Sequence, residues 1–234
     1  PSSLTKVGPG STWQLLERAG QQFLARGDTE VMDASELPLL GEHNAWNVLL
    51  ALQAAETIAP VDLSQVPSWL RDFAPLPHRM QPVADPSGIR FVNDSLATNP
   101  AALTAALRSL RGERVIAIVG GHDRGVDDSM LKNELVSHPI AGVIGIPDSG
   151  HALLARITGW FDDAGVEPGR RPQMQAVEDM AEAVGVARSW AGPGDVVTLS
   201  PGAPSFGRYR DYQHRAEEYL RAIHESLPPD PEGT

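Results

Sequence analysis

The spacing of apolar residues changes character once along this chain, near residue 75. Before that point Trp13, Leu15, Leu16, Ala19, Phe23 and Leu24 fall close to helical spacing and end near Gly27, which predicts a helix over 12–26. A second helix is predicted over 43–57, with Trp46, Leu49, Leu50, Leu52 and Ala55 apolar, and a short third one around Trp69, Leu70 and Phe73. Pro75-Leu76-Pro77 then makes a stiff, non-helical connector, because proline lacks an N–H and biases the residue before it toward extended backbone. A domain boundary is expected there, giving domains 1–75 and 76–234.

Beyond the connector short apolar runs alternate with helical patterns. Residues 78–84 and 88–93 read as a hairpin around Asp85-Pro86-Ser87-Gly88. Helices are predicted near 100–110, 128–137, 149–158, 178–190 and 208–226, and strands near 115–119, 141–146, 173–177 and 195–199. Strands alternating with helices predict an α/β fold: a Rossmann-like, doubly wound, mostly parallel sheet covered on both faces. The proline-rich tail from Pro228 to Thr234 is expected to fray.

Three apolar runs each lead into a polar loop. Phe91-Val92-Asn93 precedes Asp94-Ser95-Leu96-Ala97-Thr98-Asn99-Pro100, Val115 to Val119 precedes Gly120-Gly121-His122-Asp123-Arg124-Gly125, and Val196 to Leu199 precedes Ser200-Pro201-Gly202-Ala203-Pro204-Ser205-Phe206-Gly207. Ligands of open α/β sheets bind at the carboxyl ends of strands. If the three runs are neighbouring parallel strands, Thr98, Arg124 and Ser205 converge on one small anionic ligand.

Composition narrows the partners. A net charge of -11 lacks the basic footprint of nonspecific nucleic-acid binding. Cysteine is absent, which excludes disulfides and thiolate metal sites and fits a reducing cytoplasm. No run of 18 or more apolar residues occurs, so no membrane span is expected, nor a signal peptide at the start. The opening Pro1-Ser2-Ser3-Leu4-Thr5 lacks a methionine and reads as the interior of a longer protein or as a trimmed chain.

Each loop also has a plain structural reading. Thr98 or Asn99 caps a helix whose first residue is Pro100, a role compatible with anion binding by the free N–H groups there. Asp94 and Ser95 are turn residues or binding residues. The glycine-rich loop has neither dinucleotide nor P-loop spacing, and leaves Arg124 as an exposed arginine or as a planar fork for a carboxylate. The Ser200–Gly207 stretch is not a nucleophile elbow, and Ser205 is the better hydrogen-bond donor. His43 and Asn44 fit a cap of the helix that follows, and the histidines show no metal-ligand spacing.

Taken in order, these segments resemble the Mur ligase family, and within it the MurD-type, glutamate-adding branch. Gly41-Glu42-His43-Asn44-Ala45-Trp46-Asn47 is similar to the histidine–asparagine motif at the end of the family's central ATPase domain. Leu76-Pro77-His78-Arg79 is similar to the start of its C-terminal domain, and Asn93 to Asn99 to its Asn-Asp-Ser-Lys-Ala-Thr-Asn. The glycine-rich loop and Leu199 to Phe206 match two further family segments.

The resemblance implies an ATP-dependent reaction with magnesium. The alanyl carboxylate of UDP-N-acetylmuramoyl-L-alanine is phosphorylated, and the amine of glutamate displaces phosphate. It implies that His43, Asn44, Asn47, Arg79 and Asp94 bind the nucleotide, with Asp94 on the ribose. Ser95, Thr98, Arg124, Ser205, Phe206 and Tyr212 would surround glutamate. It implies a cytoplasmic monomer without nucleic-acid or membrane partners. Residues 1–75 would be the last part of the ATPase domain, and 76–234 the amino-acid-binding domain. The family's phosphate loop, magnesium ligands and UDP-binding domain would lie upstream, leaving this chain inactive alone. Leu96 and Arg124 stand where the family has lysines, and Gly202, Ala203 and Pro204 replace Ala, Cys and Ala. The loop sequences favour the L-glutamate branch over D-glutamate. Alternatives are a folylpolyglutamate or cyanophycin synthetase-like ligase, or a non-catalytic module binding an amino acid or nucleotide.

Overall fold

The computed structural model describes residues 11–39 and 41–227, apart from the side chains of Glu42 and His43. The expectation for the Pro228–Thr234 tail, and that for the His43 side chain, therefore lie outside the described residues. The chain divides into two compact units, Pro1–Pro75 and Leu76–Thr234.

The first unit corrects the helix expected over 12–26. Its residues form an antiparallel sheet of β1 (Trp13–Arg18), β2 (Gln21–Arg26) and β3 (Thr29–Asp33). Two tight turns decide this. Ala19 and Gly20 both have positive φ, 51° and 79°, matching the right-handed strand twist that two-residue hairpins need. Gly27, at φ 58°, opens the next two-residue turn. Two helices follow, α1 (Glu42–Ile58) and α2 (Val66–Arg71), near their predicted places, although Phe73 falls outside α2. Trp13, Leu24 and Met32 from the sheet pack with Val48, Leu49, Leu52 and Val66.

The second unit is built on one six-stranded sheet. Its strands are β4 (Gln81–Val83), β5 (Arg90–Asn93), β6 (Val115–Val119), β7 (Gly142–Gly145), β8 (Gln173–Ala176) and β9 (Val196–Leu199). The order is β4-β5-β9-β6-β7-β8, antiparallel only at β4–β5. Its helices are α3 (Pro100–Ser109), α4 (Ser129–Ser137), α5 (Ser149–Asp163), α6 (Met180–Trp190) and α7 (Tyr212–Glu225). This is the predicted α/β fold with a mostly parallel sheet.

Strand β6 shows why both faces are covered. Val115, Ala117 and Val119 join one core with apolar residues of α3, α4 and α5. Ile116 and Ile118 join the other with α6 and α7. The period-2 alternation of a strand places successive side chains on opposite faces. Right-handed crossovers explain the division of helices. The chain steps in one direction from β5 through β6 and β7 to β8, so α3, α4 and α5 share a face. It then returns to insert β9 between β5 and β6, which puts α6 on the other face. The connections reverse at β9, so the crevice between β9 and its neighbours is the expected ligand position.

Candidate functional site

The three loops singled out in the sequence follow three adjacent parallel strands, with β9 in the middle. Backbone hydrogen bonds stitch them together. Gly202 N–H donates to Ala97 O (2.8 Å), Gly120 N–H to Pro201 O (2.8 Å), and His122 N–H to Pro204 O (2.8 Å). Ser149 N–H donates to Gly121 O (2.9 Å), adding the start of α5. Gly121 has φ 148°, and a Cβ there would lie 2.2 Å from Pro204 O, so only glycine allows this close approach.

Beneath the loops lies Arg215 of α7, fully buried and without a carboxylate partner among the described residues. Its Nη2 donates to Ser95 O (2.8 Å), its Nε to Ser95 Oγ (3.1 Å) and its Nη1 to Ala203 O (2.9 Å). Burial lowers its pKa to about 10, which still leaves it cationic at neutral pH. One planar fork thus ties the β5 loop to the β9 loop. The sequence reading missed it. The signal was an arginine on the apolar stripe of the last helix, beside Ala216 and one turn before Tyr219.

Thr98 and Arg124 line one recess, together with Pro201–Pro204. Its enclosed part measures about 40 Å³, room for a few waters, so any larger ligand would also occupy the open mouth. The cap of α3 is Asn99, whose side chain accepts from Ala102 N–H at 2.9 Å, with Pro100 first in the helix. The half-buried Thr98 hydroxyl is therefore spared from capping. Arg124 is exposed and makes no hydrogen bond or ion pair among the described residues. The recess also includes three residues that sequence reasoning passed over: Asp128, Ser149 and Arg156. Ser149 and Arg156 sit seven positions apart, on one side of α5. Arg156 Nε donates to Asp128 Oδ2 at 2.8 Å. Spacing in a linear sequence gave no hint of that pair, because α4 and α5 meet only in the fold.

The other expected amino-acid ligands do not line this recess. Ser95 is buried, and its hydroxyl donates to Tyr212 O at 2.7 Å. The Tyr212 ring sits edge-on to His78 at 5.9 Å. Ser205 is buried just beyond Pro204, and Phe206 is exposed at 56%.

The expected nucleotide residues fall in both units, each described within its own. In the first, Asn44 is buried on α1 and Asn47 Nδ2 donates to its Oδ1 at 3.2 Å. In the second, Asp94 is 5% exposed. Its Oδ1 accepts from Met80 N–H (3.1 Å) and its Oδ2 from Ser200 Oγ (2.9 Å). Burial pushes its pKa up to about 6, against the opposing pull of Ser200, the Met80 N–H and the nearby Arg79 charge. Exposed Arg79 lies between two left-handed residues, His78 (φ 63°) and Met80 (φ 45°). Among the described residues no group of three or more acidic or histidine side chains is placed to hold a metal ion. No described helix is long and apolar enough to cross a membrane.

The second unit is a doubly wound α/β sheet with a polar recess at its switch point, the position where open α/β sheets bind ligands. Residues 78–202 match the family described as "Mur ligase, glutamate ligase domain", and the chain belongs to the Mur ligase family. It is 36% identical over 227 residues to the UDP-N-acetylmuramoyl-L-alanine–L-glutamate ligase of a Micromonospora species, covering 95% of this chain and 46% of that protein. It is 38% identical over 209 residues to the UDP-N-acetylmuramoylalanine–D-glutamate ligase of Methylobacillus flagellatus, covering 89% and 43%. The chain thus spans a little under half the length of these relatives. The folylpolyglutamate synthase of Mycobacterium tuberculosis, solved with ADP and AMPPCP, shares the fold with a TM-score of 0.60 at 18% identity, over 94% of this chain and 49% of that one.

Proposed function

We propose that this chain is the C-terminal portion of an ATP-dependent ligase that joins glutamate to UDP-N-acetylmuramoyl-L-alanine in peptidoglycan precursor synthesis. The observation that carries this reading is the convergence of Thr98 and Arg124 on one recess at the ends of β5 and β6, the two parallel strands that flank β9. An arginine fork with free donors and an uncommitted hydroxyl suit a carboxylate. Residues 76–234 act as the amino-acid-presenting domain, and 1–75 as the last part of the ATPase domain. ATP supplies the phosphoryl group that activates the alanyl carboxylate, leaving ADP. In the first unit Asn44 and Asn47 act as nucleotide contacts, and in the second, taken by itself, Arg79 and Asp94 do. Magnesium would screen the phosphate charges in such a reaction, and no group of described residues is placed to hold it. The enzyme is a cytoplasmic monomer.

Relatives with L- and D-glutamate names match at nearly equal identity. The preference for L-glutamate therefore rests on the loops Gly120–Gly125 and Ser200–Gly207. Gly202 supports a distinct pocket wall: its φ of 66° strains any L side chain, and an added Cβ would lie 2.9 Å from Leu103 Cδ2, so alanine here requires Leu103 to shift. The test is ligation by the full-length protein with ATP, UDP-N-acetylmuramoyl-L-alanine and each glutamate isomer. Product with L-glutamate supports the reading, product with D-glutamate alone overturns the stereochemistry, and product with neither overturns the function.

A further inference from the structure

Two guanidinium groups face the same recess in a chain of net charge -11. Arg124 has no polar partner among the described residues. Among the described residues Arg156 is bound only through Nε, to Asp128 Oδ2 at 2.8 Å, leaving both Nη groups without a partner there. Asp128 itself stands at the N-cap position of α4 yet makes no capping bond with its side chain. An aspartate there ordinarily accepts from the first turn of its helix. Here the turn is served instead by Asp127, which accepts from Ser129 N–H at 3.0 Å, and Asp128 is free to orient Arg156. A guanidinium pinned at one edge presents its other edge as a ready fork for a carboxylate.

One carboxylate needs one such fork, so a pair of them suits a ligand with two. The reacting amine and its α-carboxylate belong at the strand ends, where Thr98 and Arg124 lie. Arg156 belongs to the outer wall, between α4 and α5. Resting on the reading of this recess as a glutamate site, we propose that Arg156, oriented by Asp128, binds the side-chain carboxylate of the amino acid and sets the preference for glutamate over its uncharged amide.

The test measures kcat/KM of the full-length protein for L-glutamate, and for L-glutamine as substrate or competitive inhibitor. Arg156→Gln is expected to lower kcat/KM for glutamate by about tenfold or more, chiefly through KM, since a charge-assisted contact is lost. Glutamine should change by less than about threefold, because its amide never made that contact. Asp128→Asn should erode the same selectivity in part, and Arg156→Lys should retain some of it. General loss of structure is read separately, as a lowered urea midpoint of the variant. An equal loss for both would place Arg156 on a group they share, and no loss for either would leave it a surface ion pair; both overturn the proposal while the glutamate site stands. A wild-type protein that uses no glutamate removes the underlying reading instead.

Discussion

Asp94→Asn should stabilise the second unit at neutral pH. The wild-type carboxyl is 5% exposed, and burial lifts its pKa from 3.8 to about 6. A rise of that size corresponds to roughly 3 kcal/mol of preference for the neutral acid. The folded protein therefore holds a proton that the unfolded chain releases between pH 3.8 and about 6. The contribution to stability is complete below pH 3.8 and is lost as pH rises through about 6. Asparagine has the same shape and keeps both contacts, its Oδ1 accepting from Met80 N–H and its Nδ2 donating to Ser200 Oγ. Urea unfolding of the chain should show the variant more stable by roughly 1–3 kcal/mol at pH 7.5, with the two proteins converging toward pH 4. The gain should come with weaker nucleotide binding in the full-length enzyme, because the ribose loses an anionic acceptor. A variant less stable than wild type at pH 7.5, or a difference that does not change with pH, would refute this reasoning.

Three further outcomes are expected. Arg215→Met keeps the volume but strands the carbonyls of Ser95 and Ala203, so urea unfolding should show a loss of roughly 3–5 kcal/mol, and glutamate KM should rise as the loops separate. Arg188→Ala removes the fork that binds Asp85 Oδ2, donates to Ser226 Oγ (2.7 Å) and covers the Phe91 ring at 4.7 Å. Burial raises the Asp85 pKa, but Arg188 and Ser87 outweigh it and hold it below normal. Leaving that buried carboxylate unpaired should cost about 3 kcal/mol in urea unfolding at neutral pH, a loss that fades as acid protonates Asp85 below its ordinary range. Thr98→Val deletes a hydroxyl that no cap uses; thermal unfolding should be little changed while KM for glutamate rises about tenfold.

The second unit was legible because its strands and helices carry different hydrophobic periods, and because the buried parallel strands read as unbroken apolar runs such as Val115–Val119. The first unit misled because Trp13, Leu16 and Phe23 fit helical spacing while also lying on a hairpin. Leu16 and Phe23 are cross-strand partners, joined by a turn in which Ala19 takes a positive φ that nothing in its identity announces. In the recess, Thr98 and Arg124 were legible because they follow strands directly. Arg156 and Asp128 lie on different helices, so their meeting depends on how α4 and α5 pack. Arg215 looked like one more charge on an amphipathic helix until its burial showed otherwise. Ser95 and Tyr212, expected as glutamate ligands, lie outside this recess; the Ser95 hydroxyl donates to the Tyr212 carbonyl and accepts from Arg215 Nε.

The most direct measurement is an NMR titration of this chain with L-glutamate and D-glutamate in turn, following the backbone amides of both units. Shifts with L-glutamate centred on Thr98, Arg124 and Arg156 are the expected result. Shifts centred elsewhere, such as on the β1–β2 hairpin, would contradict the placement of the amino-acid site at the ends of β5, β6 and β9, and a response to D-glutamate alone would reverse its stereochemistry.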